Sequence, residues 1–276
     1  MIRNIKALAA DIDMTLTFKG ADLPPLVAQA FTLLHEQGVK LGLATGREIT
    51  DKLKHQGKTW GLPFEFDFII GMNGGMVYDS EDGTMWCTEL LTTDEMKAIL
   101  EYMMPLIDKY EISVNAEGGG NHNAMYIRGE LLASARRHGF DFVDKTGDID
   151  GFCERPAYKF LFRSTPENEA EIRQTFLERF GGDYQIIGTF PGTVEAMRKG
   201  IDKGSGMKRY ADKRGISMGN IIAFGDNEND NSLLTACGWG VALKNATDAT
   251  KAIADDVTEY DCENSGVGHY LFDHYL

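Results

Sequence analysis

Residues 5–17 read IKALAADIDMTLT. The opening IKALAA is short and apolar apart from Lys6, which marks a buried strand. That strand ends in two aspartates one residue apart, Asp11 and Asp13. Carboxylates at that spacing repel each other, and each costs roughly several kcal/mol to strip of water unless something positive compensates. Either Asp13 caps whatever follows, or the rest of the chain supplies the compensating charge. The fold decides which, because it decides what meets the end of this strand.

Working outward, strand and helix signals alternate. PPLVAQAFTLLHEQG (24–38) is a helix, with Pro24 and Pro25 at its start, Gly38 at its stop, and Leu26, Ala30, Leu33 and Leu34 as an apolar stripe. VKLGLATG (39–46) is the next strand and REITDKLKHQG (47–57) the next helix. FDFIIGMNGGMVYD (66–79) reads as strand, Asn73-Gly74 turn, strand. Short buried strands alternating with helices predict a parallel, doubly wound sheet.

The middle of the chain changes character. TTDEMKAILEYMMPLIDKY (92–110) opens on a capping box from Thr92 to Glu95. ISVNAE (112–117), AMYIRG (124–129) and AYKFLFRS (157–164) read as strands, residues 164–182 as a second long helix, and YQIIGTFPGTVEAMRKG (184–200) as a hairpin. This is an α+β module, with borders placed by pattern near 83 and 194. The last third returns to the first pattern: helix (202–215), strand NIIAFGD (220–226), helix (227–238), strand GVAL (240–243) and helix (245–256). The expected fold is α/β, a doubly wound, Rossmann-like parallel sheet built from residues 1–82 and 195–276, with an α+β domain inserted at 83–194.

Bulk composition narrows the function. The formal net charge of −14 disfavours nonspecific nucleic-acid binding and anionic membrane surfaces, but not an anionic small substrate, since local charges override the global field at a site. Cys87, Cys153, Cys237 and Cys262 form no C-x-x-C pair, so neither a zinc site nor a disulfide framework is indicated. No apolar run reaches membrane-spanning length, and acids come too early for a signal peptide. A cytoplasmic protein, monomer or homodimer, is the expectation.

Four strand-to-loop junctions carry polar residues: Asp11-Ile12-Asp13, Thr45-Gly46-Arg47, Lys203 in KGIDKGSG, and Asp226 to Asp230 in GDNEND. Ligands of an open parallel sheet bind beyond the carboxyl ends of its strands, so these distant segments are expected to meet. Asp11, Asp13, Asp226 and Asp230 would form a dense acidic cluster of hard oxygen ligands suited to Mg2+. Lys203 and the Thr45 hydroxyl offer a charge and a donor for phosphate oxygens, and Gly46 and Gly204 let the backbone come close. The set fits phosphoryl transfer, with one aspartate attacking phosphorus and a second serving as acid and base.

The motifs DIDMT, ATGR, DKG and GDNEND, in this order, together with NGG at 73–75 and the runs VEAMRKGIDKG and GVALKNA, resemble the haloacid-dehalogenase-like phosphatase superfamily in its Cof-type branch (subclass IIB). The resemblance covers nearly the whole chain. It implies Asp11 as nucleophile and Mg2+ ligand, and Asp13 as acid/base with its backbone carbonyl on the metal. It implies Thr45, Gly46, Lys203 and Asn229 at the phosphoryl group, Asp226 as a metal ligand and Asp230 in support of the metal shell. It also implies that the insert is a lid that selects the substrate. Met14 departs from the glycine that many relatives carry there.

The implied activity is Mg2+-dependent hydrolysis of a small phosphorylated metabolite, such as a sugar phosphate, through an aspartyl-phosphate. The alternatives are a phosphohexomutase with the same motifs, or a phospho-accepting regulator of the receiver type, against which Asp13 and the insert both speak. Blander readings stand beside several residues. Thr45 could cap the helix that follows, Asn73 could serve only its turn, and Asn245 could cap ATDATKAI rather than take a phosphate-side role. Arg47 reads as structural or peripheral rather than catalytic. Glu117, Asn121, His122 and Asn123, around the 118–120 glycines, either reach a site or form a solvated loop.

Overall fold

The computed structural model describes residues 2, 4–18, 20–118, 121–126 and 143–276. In chain order its strands are β1 (Ala7–Ala10), β2 (Lys40–Ala44), β3 (Phe68–Gly71), β4 (Met76–Asp79), β5 (Thr84–Cys87), β6 (Ser113–Gly118), β7 (Asn121–Tyr126), β8 (Val143–Asp144), β9 (Lys159–Arg163), β10 (Tyr184–Phe190), β11 (Thr193–Arg198), β12 (Ile221–Gly225), β13 (Trp239–Ala242) and β14 (Asp256–Val257). They form two sheets in two compact units. One unit joins 1–88 to 201–276, and the other is 89–200.

The first unit holds an eight-stranded sheet in the order β14-β13-β12-β1-β2-β3-β4-β5. Pairing is parallel from β14 through β3, and β4 and β5 add an antiparallel edge. β1 lies between β12 and β2, and all four of its residues are fully buried. Side chains alternate across a sheet, so Ala7 and Ala9 join a core with Phe68, Ile70, Met207, Tyr210 and Leu233 on one face, while Leu8 and Ala10 face the other. The sheet runs antiparallel at β5, a strand the sequence pattern does not signal. Since β5 pairs with β4 and β11 extends to Arg198, both unit edges fall later in the chain than 83 and 194.

Two helices differ from their sequence reading. Helix Pro25–Glu36 buries Val27, Ala30, Phe31 and Leu34, a stripe rotated from the one containing Leu26 and Leu33. Helix Gly266–His274, which sequence patterning misses, packs against the start of this helix: a Cβ on Gly268 would stand 3.0 Å from the Leu26 backbone. The expected helix at 47–57 is two short ones, Asp51–Lys54 and Gln56–Thr59. Thr50, not Thr45, caps the first, accepting from the Leu53 N–H.

The second unit is α+β. Its six-stranded sheet runs β10-β11-β9-β6-β7-β8, antiparallel except for the β7–β8 pair. Helices Thr93–Lys109 and Glu169–Phe180 contribute Met96, Ile99, Met103, Ile172 and Phe176 to a core with Phe160 and Phe162 of the sheet. The Thr92–Glu95 capping box forms as expected, and a cap of this kind contributes about 1 kcal/mol. Glu117 is not in a loop: partly exposed on β6, it pairs with buried Lys159 at 3.4 Å, which also meets Glu195 at 3.0 Å. Gly119, Gly120, residues 127–129 of AMYIRG, and the side chains of Asn121, His122 and Asn123 lie outside the described residues.

Candidate active site

Everything that follows lies in the first unit. Asp11 extends β1 by one residue, its N–H donating to the Phe224 carbonyl of β12 at 3.1 Å. It is 7 % exposed. The chain then turns at once. The Ile12 carbonyl accepts from the N–H groups of Leu16 and Thr17, the Met14 N–H donates to the Thr17 carbonyl, and Met14 takes a left-handed conformation at φ 66°. Glycine adopts that conformation freely and methionine at a cost, which is the local consequence of Met14 in this motif.

β12 ends at Gly225, beside which Asp226 and Asp230 meet. One Asp230 oxygen, Oδ2, accepts from the N–H groups of Asp226 (2.9 Å) and Asn227 (3.1 Å), closing the loop on itself. A Cβ on Gly225 would come within 2.4 Å of the Asp230 Cβ, so only glycine allows this approach. The other oxygen, Oδ1, accepts from Lys203 Nζ at 2.5 Å, and the same Nζ donates to Asp11 Oδ1 at 2.7 Å. Lys203 is fully buried at the first turn of a helix capped by Asp202. That cap abuts the Asn73-Gly74 turn: a Cβ on Gly74, at φ 100°, would lie 2.0 Å from the Asp202 carbonyl oxygen. The second half of the NGG signature is thus a close approach to the Lys203 helix. Asn73, fully buried and left-handed at φ 49°, accepts from Asn229 Nδ2 at 3.2 Å.

Thr45 directly follows β2 and is buried. Its N–H donates to the Ile70 carbonyl, its carbonyl accepts from the Asn73 N–H, and its hydroxyl oxygen accepts from the Arg47 N–H at 3.2 Å. Among the described residues its own O–H donates to no partner, and Gly46 lies beside it in the chain.

Electrostatics follow from three carboxylates around one buried lysine. Burial pushes Asp11 up to about 7; Lys203 opposes this, and the like charge of Asp230 adds to it. Burial and the charges of Asp230 and Asp11 push Asp226 up to about 8, against the Thr15 hydrogen bond and Lys203. Burial works against the charge of Lys203, but the carboxylates of Asp11 and Asp230 outweigh it and hold the ammonium above its ordinary range. The site is short of positive charge. Asp11, Asp226 and Asp230 each place a carboxylate oxygen within 4.8 Å of the others. An all-oxygen donor set with surplus negative charge and no His or Cys fits a hard divalent cation, Mg2+ above all. The Asp13 carboxylate is not among these oxygens. Both its oxygens face Arg47, from Nε at 3.0 Å and Nη2 at 2.5 Å.

A family model described as haloacid dehalogenase-like hydrolase matches residues 8–271. The chain belongs to the haloacid dehalogenase-like hydrolases. It is an enzyme of this family, and relatives it matches along their full length bear phosphatase names. A putative phosphatase of Streptococcus pyogenes serotype M6 is 27 % identical over 97 % of both chains. An HMP-PP phosphatase of Yersinia pestis is 24 % identical over 95 % of this chain and 93 % of its own. Among solved structures, a subclass IIB sugar phosphatase of the family, BT4131, shares the fold with a TM-score of 0.79, at 23 % identity over 97 % of this chain and 98 % of that one.

Within this hydrolase fold the structure also places residues that sequence reasoning left without a role. Thr15, buried, donates its hydroxyl to Asp226 Oδ1 at 2.7 Å, so the threonine closing Asp-x-Asp-x-Thr orients a member of the acidic cluster from the opposite end of the chain. Its place in the motif was the only signal available. Asn245 is not a helix cap; Thr247 caps Asp248–Ile253. Asn245 instead donates to the Met14 carbonyl (2.8 Å) and accepts from the Cys262 N–H (2.9 Å), bracing the turn after Asp13.

Proposed function

We propose that this hydrolase is a Mg2+-dependent phosphatase of a small phosphorylated metabolite, with sugar phosphates as the substrate class, working in the cytoplasm through an aspartyl-phosphate on Asp11. The observation that carries the reading is the buried Lys203 Nζ held between Asp11 and Asp230. A lysine there keeps the Asp11 carboxylate oriented at the end of β1, and its remaining donor capacity faces incoming phosphoryl oxygens.

Asp11 and Asp226 would hold the metal ion, with Asp230 in support and the Asp13 carbonyl as a further oxygen. Mg2+ bound there would neutralise the surplus carboxylate charge and the charge on the phosphoryl oxygens. Asp11 attacks phosphorus, forming the Asp11–phosphorus bond as the bond to the leaving oxygen breaks. Thr45 O–H, Lys203 and Asn229 orient the transferring group. Asp13 gives its proton to the leaving oxygen, then takes one from the water that cleaves the aspartyl-phosphate. Uncatalysed monoester hydrolysis is among the slowest reactions enzymes face, so all these contributions are required together. The inserted unit is assigned the role of a lid that excludes water and selects the leaving group.

The deciding experiment is phosphate release from a panel of sugar, nucleotide and cofactor phosphates with Mg2+, for wild type beside Asp11→Asn and Asp13→Asn. Turnover by wild type, lost in both variants and on chelation, is the expected result. Accumulation of a stable phospho-Asp11 with no phosphate release would refute it in favour of a phospho-accepting regulator. Transfer between hydroxyls of one hexose phosphate without release would make the enzyme a mutase.

A further inference from the structure

Asp13 lies two residues from Asp11, yet its carboxylate stands apart from the three that converge. The reason is Arg47. We propose that Arg47 is the positioning residue of the acid/base, fixing the Asp13 carboxylate away from the acidic cluster and on the leaving-group side, an inference that rests on the phosphatase reading above.

The geometry of the pair is two-point. Nε meets one oxygen and Nη2 the other, which fixes the carboxylate plane as well as its place. The fork takes one lone-pair direction on each oxygen and leaves the second free for proton transfer. Both partners are anchored independently. The Arg47 N–H donates to Thr45 Oγ1 and the Arg47 carbonyl accepts from the Met72 N–H at 2.9 Å. That carbonyl also stands 2.9 Å from where a Cβ on Gly71 would be, so the Arg47 backbone is seated between β2 and the Asn73 turn. On the other side, Asp13 bridges to Thr17, and its successor Met14 is held through its carbonyl by Asn245.

The pair therefore joins two fixed loops, 34 residues apart in sequence. Side chains of Arg47 and Asp13 are 46 % and 31 % exposed. An ion pair so exposed contributes only about 0–1 kcal/mol to stability, so its consequence lies in orientation. Left unclamped, Asp13 would be a fourth carboxylate free to swing toward a cation bound by its neighbours, where it would be lost to proton transfer.

The chemistry assigned to Asp13 gives the test. In the first step the bond from phosphorus to the leaving oxygen breaks, the Asp11–phosphorus bond forms, and the Asp13 proton passes to the leaving oxygen. In the second, water oxygen bonds to phosphorus, the Asp11 bond breaks, and Asp13 accepts the water proton. p-Nitrophenolate leaves without needing a proton, whereas an alkoxide from a sugar phosphate needs one. In Arg47→Met, rapid mixing with p-nitrophenyl phosphate and Mg2+ should give an intact burst of nitrophenolate, followed by a steady rate reduced roughly 10- to 100-fold. This is less than the roughly 10²- to 10⁴-fold a lost acid/base costs. Phospho-Asp11 should build up during that phase, visible by mass spectrometry. With a sugar phosphate no burst of the alcohol should appear. Arg47→Lys keeps the charge without the fork and should recover only part of the rate. Arg47→Met combined with Asp13→Asn should be no slower than Asp13→Asn alone, since residues acting through one group are non-additive.

A raised KM with unchanged kcat in Arg47→Met, or additive losses in the double variant, would overturn the inference while leaving the phosphatase reading intact. Absence of any turnover by folded, Mg2+-supplied wild type would overturn both.

Discussion

Lys203→Met removes the one positive side chain that, among the described residues, lies against Asp11 and Asp230, and the magnitude follows from burial. Lys203 is fully buried, and its partners are 7 % and 1 % exposed. Removing one partner of a buried, hydrogen-bonded ion pair costs about 3–5 kcal/mol, mostly because the abandoned charge stays buried. Methionine has a similar length and is apolar, so packing changes little. For a chain of this size about 1 kcal/mol corresponds to roughly 2–4 °C in Tm. The expected fall is therefore about 6–20 °C at pH 8 in chelator. Protonation limits the loss. Asp11 and Asp226 are already held up at about 7 and 8, so at pH 5 both carry protons and less charge is left uncompensated than at pH 8. The assay is thermal and urea unfolding of wild type, Lys203→Met, and Lys203→Met with Asp230→Asn, at pH 5 and pH 8 in EDTA. The double variant removes one negative charge and keeps an acceptor for the two backbone N–H groups, so it should recover part of the loss. A deficit below about 1 kcal/mol at pH 8, or an equal deficit at both pH values, would refute the account of Lys203 as the counter-charge of this site.

Three further outcomes are expected. Without metal, wild-type stability should fall as pH rises from 5 to 8, because Asp11 and Asp226 bind protons in the folded state that the unfolded chain releases near pH 4; each contributes up to about 1.4 kcal/mol per pH unit. Mg2+ should flatten that fall, and Tm against pH with and without Mg2+ measures it; a metal-free curve that rises would contradict the raised carboxyls. Thr15→Val, which removes the hydroxyl donor to Asp226, should weaken Mg2+ binding roughly tenfold by calorimetric titration, and unchanged affinity would remove Thr15 from the site. Asp79→Asn loses ion pairs to Arg214 at 2.6 Å and Lys213 at 3.0 Å from a fully buried carboxyl. It should cost about 1–3 kcal/mol at pH 7. Although burial opposes it, the Arg214 and Lys213 contacts hold Asp79 below the usual carboxylate range, so wild type loses that advantage progressively as pH falls below 4, and the gap between the two proteins should narrow there in urea titrations.

The strand-loop junctions were legible because the chemistry they need is local in type: an apolar run, then acids, at β1 and again at β12. Gly46 and Gly204 were read as places where the backbone comes close to a ligand, whereas the close approaches at Gly74, read only as a turn residue, and at Gly225 depend on distant segments and were not legible. Orientation about a helix axis was not. Residues 26, 30, 33 and 34 and residues 27, 30, 31 and 34 both fit helical spacing, and only tertiary packing settles that the second stripe turns inward. Pairings between distant loops were equally hidden. Nothing in the spacing of ATGR says that its arginine clamps the second aspartate of DIDMT, or that Asn245 braces the turn between them, because each depends on how the sheet orders its strands.

The strand order carries a consequence for synthesis on the ribosome. β1 is made first, but its neighbour β12 arrives only after the whole inserted unit, and Thr15 and Asp226 are 211 residues apart. At roughly 5–20 residues per second, one edge of β1 stays unpaired for about 10–40 s, an apolar template for errant pairing. The inserted unit is continuous in sequence and needs no late-arriving segment to complete its sheet. The insert is thus complete in sequence before the sheet that begins with β1 can close. A nascent chain stalled before β12 carries Asp11 without Asp226 and Asp230, so the acidic cluster cannot assemble until that strand and its loop have been made.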